Sequence, residues 1–318
     1  MGVHAAVRSR GCRDYRRRPP VEVVRDNRLH CALSARKTGR SDVLAPRVLK
    51  RRAQPLDYPG EMDHPSLSKP SISTLWRARR HFRNSPIAVW LRLVAGRRIV
   101  LRTRDGLRIG CRPNSSDWRL VHELCGGARH ATAFRYLAKR DRRGLILDLG
   151  AGPGCFSLLC ADLSRDAHVL AYEAEASSVA QFQANLALNP RLADRIVLDT
   201  RAVSGVAATP GPTPGGVAAD VPFATLIRQL AGPIELVRID VPGAGTTLVE
   251  ETPADVWERI PAIAMAVHHD GTPSVTRQQL MRRFESLGFV VSSEPGGSWF
   301  IERTGPRWRR STVQSPAA

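Results

Sequence analysis

The chain has 318 residues and 42% hydrophobic content, enough for one large domain or two small ones with a real core. Its formal net charge of +19 is unevenly spread: residues 1–61 hold 15 Lys/Arg against 6 Asp/Glu, residues 62–143 hold 19 against 5, and residues 144–318 hold 14 against 18. The most apolar stretch, Ile87 to Leu101, is broken by Arg92, Arg97 and Arg98, which excludes a transmembrane helix there, and the Arg-rich first 30 residues lack the apolar segment of a secretory signal.

Residues 1–61 show no sustained periodicity and only two aromatic residues, Tyr15 and Tyr58, so they read as a disordered basic leader. Such an arm is compatible with nucleic acid or an anionic surface, or with a solvated tail that has no partner. Met62 is an alternative start. From Thr74 to Leu93 the spacing of Leu75, Trp76, Phe82 and Val89 to Leu91 suggests one or two short helices. Arg98–Arg104 and Leu107–Cys111 should pair as a hairpin around Asp105-Gly106, with a type I′ turn. Asp117 to Leu137 reads as helical, and residues 62–143 together form a basic segment that caps the domain starting at Gly144.

From Gly144 to residue 304, strands and helices alternate, the pattern of a mostly parallel sheet covered on both faces. Strands are expected at Leu145–Leu149, His168–Glu173, Ile196–Thr200, Ile234–Asp240 and Ala262–His268. A closing antiparallel hairpin, Phe289–Ser293 with Trp299–Arg303, turns at Pro295-Gly296-Gly297. Helices are expected at about Gly154 to Leu163, from Ser177 as N-cap to Asn189-Pro190, from Pro222 to Leu230, and from Thr272-Pro273 to Gly288. Residues 204–219 are a Pro/Gly-rich loop and 305–318 a disordered tail. The class is therefore α/β, a Rossmann-like seven-stranded sheet with a terminal antiparallel hairpin, the strand count of the methyltransferase variant of the doubly wound fold. The six cysteines, at 12, 31, 111, 125, 155 and 160, form no metal or disulfide pattern, and a reduced, cytoplasmic setting fits them.

The stretch LILDLGAGPGCF, residues 145–156, carries the chemistry. Asp148, Gly150, Gly152 and Gly154 are spaced D-x-G-x-G-x-G directly after an apolar strand, where glycines let the backbone turn and approach a ligand. A dinucleotide fingerprint would need its third glycine at position 155, which is Cys. Glu173, ending the second strand, lies where an acidic side chain reaches ribose hydroxyls. Together they point to S-adenosylmethionine. Asp148, Gly150, Ala151, Gly152, Gly154, Phe156, Glu173 and Ala174 are the candidate cofactor contacts.

Here the sequence resembles the FkbM family of methyltransferases over roughly residues 98–303. The resemblance is carried by the glycine stretch, AYEAEASSVAQFQANLALN, FATLIRQLAGPIELVRIDVPGAG and FESLGFVV, with SDWRLVHEL before them. It implies an S-adenosylmethionine-dependent O-methyltransferase acting on a hydroxyl of a sugar, glycan or secondary metabolite, with Gly150, Gly152 and Glu173 on the cofactor and Asp240 at the transferred methyl. Where the family reads K-I-D-x-E-G-x-E, this chain has Arg238, Pro242 and Gly245 in place of the Lys and two acids.

A hydroxyl acceptor must lose a proton, so a base is needed. Asp240 at a strand end is one candidate, equally readable as a structural acceptor; His268 and His269 are the others. Asp270 suits the turn before Gly271, and Trp118 either stacks on an acceptor or packs. Asp240 with a histidine is too few ligands for a metal site, so none is expected. An adenosylmethionine-binding protein without transfer activity is the alternative. A nucleic-acid methyltransferase fits less well, because the domain itself is acidic and no amino-methylation motif follows the fourth strand.

Overall fold

The structure, a computed structural model, describes residues 76, 79–84, 86–126, 129–138, 144–205, 220–242, 244–267 and 277–304. The leader at 1–61, most of the loop at 204–219, the tail at 305–318, and His268, His269 and Asp270 lie outside the described residues.

Ahead of the main sheet come α1 (Pro86–Val94), the paired strands β1 (Ile99–Arg102) and β2 (Arg108–Cys111), α2 (Asp117–Cys125) and α3 (Ala131–Ala138). The β1–β2 hairpin forms at the expected place, but its turn differs. Thr103 N–H donates to the Leu107 carbonyl, leaving Arg104, Asp105 and Gly106 as a three-residue loop. Gly106 alone has positive φ, 94°, whereas type I′ needs two such residues. The helix expected over Asp117–Leu137 is two helices. Gly126 closes α2, and the left-handed His130 (φ 55°) precedes α3.

The chain then alternates: β3 (Leu145–Leu149), α4 (Cys155–Leu163), β4 (His168–Tyr172), α5 (Ala176–Leu188), α6 (Pro190–Ala193), β5 (Ile196–Asp199), the short parallel pair β6 (Val203–Ser204) and β7 (Val221–Pro222), α7 (Phe223–Gln229), β8 (Ile234–Ile239), α8 (Gly245–Glu251), α9 (Ala254–Trp257), β9 (Ala262–Ala266), α10 (Arg277–Ser286), β10 (Phe289–Ser293) and β11 (Ser298–Arg303). The main sheet has seven strands in the order β10-β11-β9-β8-β3-β4-β5. All neighbours are parallel except β11, which runs antiparallel to both β9 and β10. This is the seven-stranded, mostly parallel sheet with a terminal hairpin that the residue pattern predicts.

Alternation along the strands sends residues to two faces. Ile146, Leu236 and Ala264 join one buried cluster, with Phe156, Phe182 and residues of α1 to α3 such as Val89, Val121 and Leu137. Leu147, Leu149, Val237 and Ile239 join the other, with Phe223, Trp257, Leu280 and Phe284. The chain reverses its winding between β3 and β8, where open parallel sheets form their ligand crevice at the strand C-termini. There the glycine stretch ends β3 and Asp240 ends β8, and Asp240 N–H donates to the Leu149 carbonyl (3.0 Å).

Candidate cofactor and acceptor site

Three glycines of the loop are left-handed, with φ of 72° at Gly150, 55° at Gly152 and 79° at Gly154, but they serve different purposes. A side chain at Gly150 would overlap the Asp240 carbonyl oxygen, so this glycine lets β3 and β8 converge. One at Gly154 would fall inside the Phe182 ring, so that glycine seats α5. At Gly152 nothing lies within 4 Å. The loop is anchored beneath by the Gly150 and Ala151 N–H groups, which both donate to the Tyr172 carbonyl at 3.0 and 2.9 Å.

Glu173 completes this unit. One carboxylate oxygen accepts from Gly152 N–H and the other from Glu175 N–H, each at 2.7 Å. The side chain is half-buried, and Ala174 beside it is exposed. The N-cap of α5 is Glu175, not Ser177: its carboxylate accepts from Ser178 N–H (3.0 Å) and from the hydroxyls of Ser177 and Ser178. A carboxylate serves an N-terminus well because it meets unpaired N–H groups and the positive end of the helix dipole together. Burial opposes the Glu175 charge, but the two serine hydroxyls and Arg112 outweigh it and lower its pKa.

The polar residues of α5 fasten the hairpin to this loop. Asn185 accepts from Gly110 N–H (2.7 Å) and donates to the Pro153 carbonyl (2.8 Å). Gln181 donates to the Gly110 carbonyl, while Asn189 both accepts from and donates to the backbone of Arg108. Positions 181, 185 and 189 are one face of a helix, so β2 is paired by side chains where another strand would otherwise lie. Arg112 adds a bidentate pair with Asp117 (2.9 Å) and donates to Ser177 Oγ (2.6 Å).

Behind the loop runs a buried charge network. Asp148 is fully buried; its oxygens accept from Ser157 Oγ (2.5 Å) and Arg238 Nη1 (2.7 Å). Arg238, 2% exposed, also donates to the Gly150 carbonyl and to Asp240. Burial disfavours its charge, but Asp240 and Asp148 outweigh that and hold it firmly protonated. Asp240 meets a second guanidinium, Arg129 Nη2 at 3.5 Å, and Arg129 reaches Glu123 at 3.9 Å. Asp148 and Phe156, expected as cofactor contacts, therefore present no surface to a ligand. Phe156 is 1% exposed and packs on Phe134, His130 and the face of Arg238, with Arg238 Cζ 5.1 Å from its ring centroid. Ala151 and Gly154 are buried as well, so Gly150, Gly152, Glu173 and Ala174 are the expected residues with open surface.

His130 carries no sequence signal. It is fully buried, neither ring nitrogen has a hydrogen-bond partner among the described residues, and its pKa is pushed down to about 3, first by desolvation and then by Arg238. Arg129 and Arg112 carry none either, because lone arginines in a basic segment look like solvated charge. Pro242 is exposed beyond β8. Gly245 is buried, and a Cβ there would meet Ile239 Cγ2 at 3.5 Å and Met265 Cε at 3.7 Å, so this position faces apolar side chains. Trp118 is half-buried and packs against the first core cluster. Cys155 and Cys160 are buried free thiols whose pKa burial drives upward. Among the described residues no group of three or more His, Cys, Asp or Glu side chains could hold a metal ion, and no helix is long and apolar enough to cross a membrane.

No family model and no curated sequence matches the chain. Solved structures do resemble it. The methyltransferase FkbM from Methylobacillus flagellatus KT is 13% identical, with 57% of this chain and 53% of that one covered, at a TM-score of 0.41. Magnesium protoporphyrin IX methyltransferase from Synechocystis PCC 6803, with bound SAM, is 14% identical over 59% and 83%, at 0.37. P. horikoshii TYW2, in complex with MeSAdo, is 16% identical over 64% and 69%, also at 0.37. Likenesses this distant assign no residue a role.

Proposed function

We propose that this chain is an S-adenosylmethionine-dependent methyltransferase whose acceptor is a hydroxyl of a sugar, glycan or secondary metabolite. The observation that carries the reading is the pairing of Gly152 with Glu173 at the C-terminal ends of β3 and β4. The residues suit the cofactor: the glycine has open space above it, and the carboxylate is already oriented by two N–H groups. Each oxygen keeps a lone pair, so the pair can accept from a vicinal diol. When bound, the cofactor supplies a methyl carbon activated by a sulfonium.

The remaining work is alignment of the acceptor. Asp240, held by Arg238 and Arg129 at the end of β8, is fixed enough to accept from an acceptor hydroxyl. His268 and His269 remain the candidates for taking its proton. Isothermal titration with S-adenosylmethionine tests the first half. Glu173→Ala should weaken binding about 10- to 100-fold, the loss of charge-assisted hydrogen bonds; unchanged affinity would sink the cofactor assignment.

One observation favours a second reading, an adenosylmethionine-binding protein without transfer. Asp240 already serves as the anionic partner of two guanidinium groups. A methyl-release assay across hydroxylated small molecules and glycans separates the two, since binding without turnover on any acceptor selects the second. A nucleic-acid acceptor is disfavoured by the acidic balance of residues 144–318.

A further inference from the structure

The helix α1, PIAVWLRLV, is apolar nearly all the way round, with Arg92 its one charge. Helices of that composition are normally enclosed. Among the described residues this one is covered on one side only: Val89 and Leu93 are buried, while Ile87, Leu91 and Val94 are 52%, 56% and 39% exposed. At about 100° per residue those three fall within about 60° of one another. The exposed Ala88 and Ala95 widen the same face.

The chain on either side of this helix is cationic. Between positions 79 and 112 the described residues include ten arginines and a single acid, Asp105. Of these ten, Arg112 alone forms an ion pair among the described residues. Trp76, 45% exposed, shares a surface depression with Pro86 at the start of α1 and with Arg79, Arg80, Arg83 and Arg104. These side chains are held in place: Arg83 donates twice to the Arg104 carbonyl, Arg104 donates to the carbonyls of Arg80 and Arg79, and Arg79 lies over the Trp76 ring at 5.3 Å. Arg97 and Arg98, both exposed, follow the other end of the helix.

We propose that this face docks on an anionic lipid bilayer, with Ile87 and Leu91 at the acyl boundary and the flanking arginines among the headgroups. An interfacial helix binds through buried apolar area together with attraction to anionic lipid, and Trp favours the same depth. Single-stranded nucleic acid would satisfy the arginines, but it would gain little from aliphatic side chains and would find one exposed aromatic platform, Trp76, among the described residues. The proposal is independent of the methyltransferase reading.

Co-sedimentation of the full chain with vesicles tests it. The chain should pellet with an equimolar phosphatidylcholine–phosphatidylserine mixture, not with phosphatidylcholine alone, and binding should weaken as salt is added. Leu91→Asp should reduce the bound fraction about tenfold, as should the double change Arg97→Glu with Arg98→Glu. All three sites are exposed, so unfolding midpoints should match the wild type, and adenosylmethionine affinity should not change. Failure of the wild type to pellet, equal pelleting with both vesicles, or undiminished binding by Leu91→Asp would overturn the proposal. Retention of a polyuridylate probe without vesicle binding would do so in favour of RNA.

Discussion

Gly152 and Gly154 are both left-handed and two residues apart, yet they should respond oppositely to the same substitution. An alanine at either carries the backbone penalty of about 1–2 kcal/mol. At 154 it must also displace Phe182, a 0%-exposed ring in a packed cluster, so overpacking adds about 1–3 kcal/mol. Gly154→Ala should therefore lower stability by several kcal/mol in urea titration, and Phe182→Leu in the same chain should recover part of it. Gly152→Ala should lose only that backbone penalty of about 1–2 kcal/mol and still fold, but lose adenosylmethionine affinity, because its new methyl stands in the open space beside Glu173. Arg238 is the other revealing residue. Arg238→Met strands Asp148 in the interior with Ser157 as its one remaining partner among the described residues, at a cost of about 3–5 kcal/mol. Arg238→Lys, the residue the resembled family carries, should cost less, since an ammonium can still meet a carboxylate.

His130 gives stability a pH dependence of its own. Its ordinary value is 6.5 and burial pushes it down to about 3, so between these limits the unfolded chain binds the extra proton. Stability from this residue is fully present above pH 6.5 and declines as pH falls toward 3, with a limiting slope of about 1.4 kcal/mol per pH unit. The interval from pH 5 to 6.5 lies above the carboxylate range, which isolates the effect. His130→Phe, keeping an aromatic ring beside Phe156, should flatten the denaturation midpoint across that interval. An unchanged slope would show that His130 is not buried as a neutral ring.

At the scale of elements, α5 joins the hairpin to the glycine loop, and Asn185 is the joint. Asn185→Leu leaves Gly110 N–H without its acceptor and the Pro153 carbonyl without its donor. Two buried backbone groups so abandoned cost about 2–4 kcal/mol. Hydrogen exchange at Gly110 should accelerate more than at residues of β8, where the pairing is strand to strand. In the sequence Asn185 lies within AYEAEASSVAQFQANLALN, one of the stretches that carry the family resemblance, with nothing to say why an amide stands there. The period of apolar residues shows which face is buried, and it passes over the polar residues that bind another element's backbone. The same blindness explains the network behind the loop. Asp148 belongs to a ligand-binding pattern by spacing, but its environment is set by Arg238, 90 residues away on a neighbouring strand. The seven strands are legible because each is a short apolar run between turn residues. Arg129 and His130 are not, since their roles depend on a break between α2 and α3 that a continuous helical pattern conceals.

Across the whole molecule, charge and core divide the chain differently. The charge changes sign at about residue 144, which suggests a basic cap on a separate acidic domain. The first hydrophobic cluster ignores that line. It unites Val89, Leu101, Ile109, Val121, Leu124 and Leu137 with Ile146, Phe156, Leu158, Phe182 and Phe300. A fragment beginning at Gly144 would keep every strand of the main sheet, yet it would expose Phe156 and Phe182 and lose Gly110 as the partner of α5. Apolar surface of that extent, at about 25 cal/mol per Å², outweighs the few kcal/mol by which domains of this size are stable. We expect fragment 144–318 to retain far-UV ellipticity while losing near-UV signal and binding a hydrophobic dye. A cooperative, dye-silent fragment would instead establish that the sheet folds alone. In that case the N-terminal elements are an accessory laid over an already sufficient core, and their arginines and exposed α1 face are free to serve a partner without any structural duty.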